Sequence, residues 1–349
     1  MKRESNIELL RIIAMLLVVL LHANYSSLGG VKISDIEVIT PNSFIKAFAE
    51  QLCIICVNVF ILISGWFGIR PSIKGGLSLL YQIAFFHILI VLFLFSLGET
   101  ISISSIILGF YFGALYWFVV SYLILYTLSP VLNAFAETAN ARLYVSVLAI
   151  YFFFEFTYGW AFNFGAFNSG YTTISFIGLY LLARFLYKYS SKIKIFNLNT
   201  SKNLLLYLLF TIIPVILLFA TKHDLGTIAY SSPFVILASV FFFLAFTKMH
   251  FSSKAINYIS VSTFSIYLIH CHPIIAPHFK ELMRNAYDFL GGGLYIVFAI
   301  IFATCYGFCC VVLDKGRIWT WNLLCKHILD NILFQFNNII NKLYTRIGL

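Results

Sequence analysis

Charge is scarce in this chain. Asp, Glu, Lys and Arg make up only 10% of 349 residues, where a soluble domain carries about 25%. So little polar surface cannot cover a water-facing exterior. With 61% hydrophobic residues and a mean hydropathy of +0.93, lipid must be the solvent. Other absences narrow the class. Seven cysteines form no framework: Cys53 and Cys56 make a CxxC inside one apolar run, and Cys305, Cys309 and Cys310 sit in another. They read as buried thiols acting as small hydrophobes rather than as a metal or redox set. Lys2 and Arg3 precede an apolar run as in a leader peptide, yet the run is long and "HANYSSLGG" lacks a small-x-small cleavage site, so a retained helix is expected. There is no internal repeat, no soluble domain and no G-x-S-x-G elbow that would place a nucleophilic serine.

What is present is a series of apolar runs of about 20 residues, at 7–27, 45–68, 76–97, 114–134, 143–160, 171–188, 203–221, 229–247, 256–278 and 290–313. They predict an all-α polytopic transmembrane bundle of about ten helices over residues 1–317. The remainder, 318–349, contains "NLLCKHILDNILFQFNNIINKLYTRIGL", with apolar residues three and four apart and Lys and Asn between them. It predicts an amphipathic cytoplasmic helix lying on the membrane surface. With both termini inside, the outer loops hold only Lys32, Lys46, Lys222, Lys280 and Arg284 of the 23 basic residues. That asymmetry orients the chain. The net charge of +10 is then a topology signal rather than a nucleic-acid surface.

The first run, "NIELLRIIAMLLVVLLH", carries three polar residues that lipid disfavours. A charge near the bilayer centre costs about 2.5–3.5 kcal/mol on insertion scales. Arg11 and His22 are eleven positions apart, which places them within about 20° on a helix face and about 16 Å apart along the axis. Glu8 stands one turn before Arg11, at ion-pair spacing. The three form a stripe that must face the bundle interior. Two readings follow: an ion pair near one interface with a histidine closing the other end, or a His22 that, in a polar cavity, exchanges a proton near neutrality. Further polar groups accompany it: Asn58, Ser64 and Arg70 in the second run, Tyr116, Trp117, Ser121, Ser129 and Asn133 in the fourth, Glu155 in the fifth, and Ser265, Tyr267, His270, His272 and His278 in the ninth. Pro273 should break that ninth helix just beyond His270. On a continuous helix His270 and His272 point about 200° apart, so no metal site is expected.

These residues resemble a known family. Arg, ten residues, then His on the first helix is similar to the acyltransferase-3 family of bacterial integral-membrane acyltransferases, many of which O-acetylate surface sugars. "NIELLRIIAMLLVVLLH" resembles the family's opening, with Glu8 in the acidic position. "VNVFILISGWF", "YWFVVSYLILYTLSPVL" and "STFSIYLIHCHP" resemble three later segments in the same order. The resemblance implies an acyl-CoA donor, acetyl-CoA or another short acyl thioester, reaching the site from the cytoplasm. The acceptor it implies is a hydroxyl of a cell-surface carbohydrate or glycolipid, in the bacterial inner membrane. It implies His22 as the catalytic histidine and Arg11 as its partner. Arg70 and Lys74 are the expected CoA-phosphate contacts, although the frequent Arg-x-Arg pair is replaced by Arg70 and Lys74. Ser64 or Tyr267 is the expected oxyanion donor. With no hydrolase-like domain alongside, the chain is expected to complete the transfer or hand the acyl group to a partner. The competing class is a transporter or flippase using Glu8, Arg11 and His22 as a substrate or proton pathway.

Overall fold

The computed structural model describes residues 3–31, 40–110, 116–223, 229–325 and 330–332. Among them every regular element is helical: α1 (Ser5–Leu21), α2 (Pro41–Cys53), α3 (Cys56–Phe67), α4 (Ile73–Ser96), α5 (Ile103–Phe110), α6 (Trp117–Thr138), α7 (Ala141–Phe154), α8 (Thr173–Tyr189), α9 (Thr200–Thr221), α10 (Pro233–Thr247), α11 (Lys254–Ser260), α12 (Phe264–His270) and α13 (Ile275–Thr320). Several begin where a short polar side chain satisfies the first free amides. Thr40 and Ser43 exchange side-chain-to-backbone bonds at the start of α2, with Pro41 in the first turn. Ser72, Asn140, Asn199 and Ser253 each accept from an amide three residues on.

The chain is an all-α polytopic bundle. All ten expected apolar runs are helical in their described residues, and among those residues seven stretches are long and apolar enough to cross a membrane: Ser5–Ser26, Pro41–Phe67, Ile73–Ser96, Trp117–Thr138, Ala141–Ala161, Thr200–Thr221 and Ile275–Leu324. The other three are shorter or interrupted. α8 and α10 have 17 and 15 residues, and the ninth run is divided into α11 and α12. Short polar side chains cause that division: Thr263 Oγ1 donates to the Ser260 carbonyl at 3.0 Å and Ser265 Oγ to the Ser262 carbonyl at 2.6 Å. Such local bonds offer the backbone an alternative to the helix ladder. α12 then ends at His270, as Pro273 requires. The last helix does not stop at 317; it runs through Thr320 and π-helical turns to Cys325, with a kink at Gly291 (φ +72°). Most of the expected surface helix at 318–349 lies outside the described residues.

α1 is the centre of the bundle. It packs against α2, α3, α10, α11, α12 and α13, and Leu10, Ala14 and Val19 are fully buried. The periphery presents Leu92, Phe95, Phe153, Phe289 and Phe308 outward, the composition of a lipid-facing surface. α3 lies so close to α8 that a Cβ on Gly65 would stand 2.5 Å from the Tyr180 carbonyl oxygen. That contact fixes the wall of the bundle facing α1.

Candidate active site

α1 presents Arg11, Met15, Val18 and His22 at spacings of four, three and four, one continuous helical face. Beyond Leu21 the helix widens into π-helical turns, His22–Ser26, a distortion common at functional sites. Its carbonyls are held: Ser27 Oγ donates to His22 O at 2.8 Å and Tyr295 Oη to Ala23 O at 2.7 Å. His22 is thereby fixed, half-buried, on a backbone that is tied down from two sides.

Two cavities open along this face. One, of about 280 Å³, is lined by Arg3, Glu8, Arg11, Ser64 and Tyr122 among others. The second, of about 260 Å³, is lined by His22, Trp117, Tyr230, Tyr267, His270 and Cys271 among others. Met15, Phe60, Phe118 and Phe264 line both. These four side chains form an apolar, largely aromatic waist between the two adjoining cavities, on the stretch of α1 between Arg11 and His22.

In the His22 chamber the hydrogen-bond pattern determines where the ring protons lie. His270 Nδ1 is 2.6 Å from the Ile266 carbonyl, which can only accept, so His270 carries its proton there and its Nε2 is bare. His22 Nδ1, 3.0 Å from that Nε2, must then be the donor. With both rings neutral, His22 Nε2 keeps its lone pair. The arrangement is that of a base held in one tautomer by a second group. Cys271 Sγ stands 3.4 Å from His22 Nδ1 and 3.4 Å from His270 Nε2. Tyr267 lines the same chamber, its ring packed against those of Tyr116 and His270. Tyr116 Oη donates to Leu268 O at 2.7 Å and locks α12 against the start of α6.

In the Arg11 chamber two cations share one carboxylate. Glu8 Oε2 is 3.7 Å from Arg3 Nη1 and 3.9 Å from Arg11 Nε. These separations exceed hydrogen-bond length, and Glu8 Oε2 and Arg11 Nε make no hydrogen bond. The chamber thus carries excess positive charge with unused donor capacity. α11 anchors this end of α1: Ser5 Oγ donates to Asn257 Oδ1 at 3.0 Å and accepts from the Ser253 amide at 2.9 Å.

Of the residues singled out from sequence, His22, Tyr267 and His270 line one chamber, and Glu8, Arg11 and Ser64 the other. Ser64 Oγ donates to Phe60 O at 2.8 Å, so its proton is committed to its own helix. Arg70 and Lys74 are lining residues of neither chamber. Arg70 is exposed, and Lys74 is paired with Asp330. Glu155 is buried, 2.8 Å from Tyr151 Oη, and also lines neither. The helix break separates the two ninth-run histidines. His272 pairs with His87 rather than joining His270: Nε2 of His272 is 2.9 Å from Nδ1 of His87, while the Ile274 amide reaches His272 Nδ1 at 3.3 Å and His87 Nε2 reaches Ile106 O at 3.0 Å.

Sequence reading passed over three groups. Cys271 had no signal beyond its neighbour His270. His87 stands inside the third apolar run, where an intramembrane histidine is itself a flag. Asp314 and Arg317 are buried and form a two-fold pair at 2.9 and 2.8 Å, with Gln82 donating to Asp314 at 3.1 Å. Their i,i+3 spacing at the end of the last run was the available clue.

In comparison with known proteins, the family model of an acyltransferase domain matches residues 4–313. Neither the curated proteins nor the solved structures yield a match.

Proposed function

The chain belongs to the acyltransferase-3 family and is a membrane acyltransferase; from that premise we propose that it moves an acetyl or other short acyl group from acyl-CoA to a hydroxyl of a cell-surface carbohydrate or glycolipid. The observation that supports this reading is the pair of chambers adjoining at one shared waist, with cations lining one and His22 lining the other. With both termini cytoplasmic, in the orientation that the Lys and Arg distribution favours, the Arg11 chamber opens to the side that supplies acyl-CoA.

In this mechanism the phosphates of acyl-CoA rest on Arg3 and Arg11, where unused donors and excess positive charge favour an anion. Arg70 and Lys74 line neither chamber and give way to them in this role. The acylated arm extends through the waist of Met15, Phe60, Phe118 and Phe264. Arg11 and His22 are about 16 Å apart along the helix, a span that an extended pantetheine arm covers. The acceptor enters the His22 chamber, where the Trp117, Tyr230 and Tyr267 rings offer faces for a sugar. His22 Nε2 takes the proton of the attacking hydroxyl as the new C–O bond forms at the thioester carbon. Tyr267 donates to the developing oxyanion. The C–S bond then breaks, the proton passes from His22 to the departing sulfur, and CoA leaves as the thiol. Ser64 lies across the waist and takes no part in that step. The product stays on the far side of the membrane from the donor, which suits a surface glycan.

The test is transfer of label from [14C]acetyl-CoA by membranes containing the chain. Membranes with the intact protein incorporate label into glycan or lipid and release CoA. His22→Gln, present at an equal level in the membrane, should do neither, and full activity in that variant refutes the assignment.

A further inference from the structure

The break that ends α12 at His270 also swings the next residue, Cys271, against the histidine pair. His22 Nδ1, His270 Nε2 and Cys271 Sγ form a triangle with edges of 3.0, 3.4 and 3.4 Å. A tetrahedral zinc ion with ordinary bond lengths spaces two imidazole nitrogens about 3.3 Å apart and a nitrogen and a sulfur about 3.6 Å apart. Each edge is within a few tenths of an ångström of that figure. His270 already has the outer arrangement of a metal-bound imidazole, its far N–H donated to a backbone carbonyl, Ile266 O, which orients Nε2 toward the triangle. All three residues line the same chamber, so a fourth coordination position is open to it. One thiolate and two imidazoles select a borderline-soft ion over magnesium or calcium.

We propose that these three atoms bind a divalent ion of the zinc class and that its binding switches acyl transfer off. The binding half stands on geometry alone; the inhibitory half rests on the reading of His22 as the base. When the ion binds, the Cys271 thiol gives its proton to water. The one ring proton of His22 moves from Nδ1 to Nε2. The lone pair that would accept the hydroxyl proton is then gone, and the positive ion occupies the wall of the acceptor chamber. The His87–His272 pair offers no such site: its nitrogens are engaged with each other, the Ile274 amide and the Ile106 carbonyl.

The purified chain in detergent, stripped with EDTA and dialysed against zinc chloride, should hold one zinc when its metal content is measured by mass spectrometry. Cys271→Ala and His270→Gln should bind about tenfold more weakly or worse, with Cys271→Ser as the second thiol variant should the alanine fail to fold. In membranes, [14C]acetyl transfer should fall over the same zinc range and return with EDTA. Cys271→Ala, measured against its own zinc-free rate, should need at least about tenfold more zinc for the same loss. Equal zinc binding by the wild type and the Cys271 variants overturns the site. A zinc-loaded chain at full rate, or loss of transfer on EDTA treatment, overturns the inhibitory role. If His22→Gln keeps full transfer the base reading falls, and the zinc content of wild type and Cys271→Ala still decides the site.

Discussion

Among the described residues the bundle holds two histidine pairs of similar geometry, and they end differently. In the His87–His272 pair, the Ile274 amide donates into one end and the Ile106 carbonyl accepts from the other. The ring protons thus run in one direction from amide to carbonyl, and no lone pair is left over. In the His22–His270 pair, the Ile266 carbonyl accepts at one end, and at the other end His22 Nε2 is left as an acceptor in a cavity. Two histidines therefore make a structural brace in one place and, in the proposed mechanism, a poised base in the other. What decides is whether the last nitrogen meets backbone or open space. Intramembrane histidines invite a functional reading in general; this contrast shows that tracing the proton chain to its end is what separates the two cases.

The contrast can be broken at either pair. The largest effect is expected at His22. His22→Gln should cut the transfer rate by about 10²–10⁴-fold, with little change in protein level, as single-turnover labelling would show. His270→Gln removes the acceptor that holds the His22 tautomer. It should lower kcat by about 10–100-fold with KM for acetyl-CoA nearly unchanged, a split that steady-state kinetics reads directly. Arg11→Ala acts at the other chamber and should raise KM for acetyl-CoA by about tenfold, the loss of one charged hydrogen bond of about 1.5 kcal/mol, with kcat little altered. The smallest effect on transfer belongs to the brace. His272→Ala deletes the buried hydrogen bond between His272 and His87, at a cost of about 1 kcal/mol. Thermal unfolding in detergent should record that loss while transfer per folded molecule stays at the wild-type rate.

Much of the fold was legible because the bilayer imposes a length: every apolar run of about 20 residues became helix. What hydropathy could not show was where helices stop within a run. The division at 261–263 comes from the Thr263 and Ser265 hydroxyls bonding locally to the Ser260 and Ser262 carbonyls, and such bonds leave the apolar average almost unchanged. The site was legible where one helix carries it. Arg11 and His22 share a stripe by arithmetic alone, and the structure adds Met15 and Val18 between them. The pairings were not legible, because they join α1 to α12 and α4 to the turn after α12, elements far apart in sequence. The angle computed between His270 and His272 assumed one continuous helix, so it could not foresee that each would take a different partner. Arg70 and Lys74 were chosen by order along the chain, and only the packing shows that Arg3, near the N-terminus, stands beside Arg11 instead.

The account rests on an acyl thioester threading from Arg11 to His22 through one waist. The most direct measurement is a cryo-EM structure of the chain with a non-hydrolysable acetyl-CoA analogue. The account predicts phosphate density against Arg3 and Arg11 and the acyl carbon in the chamber of His22, past Phe60 and Phe118. Phosphates bound elsewhere with the acyl end outside that chamber would contradict it.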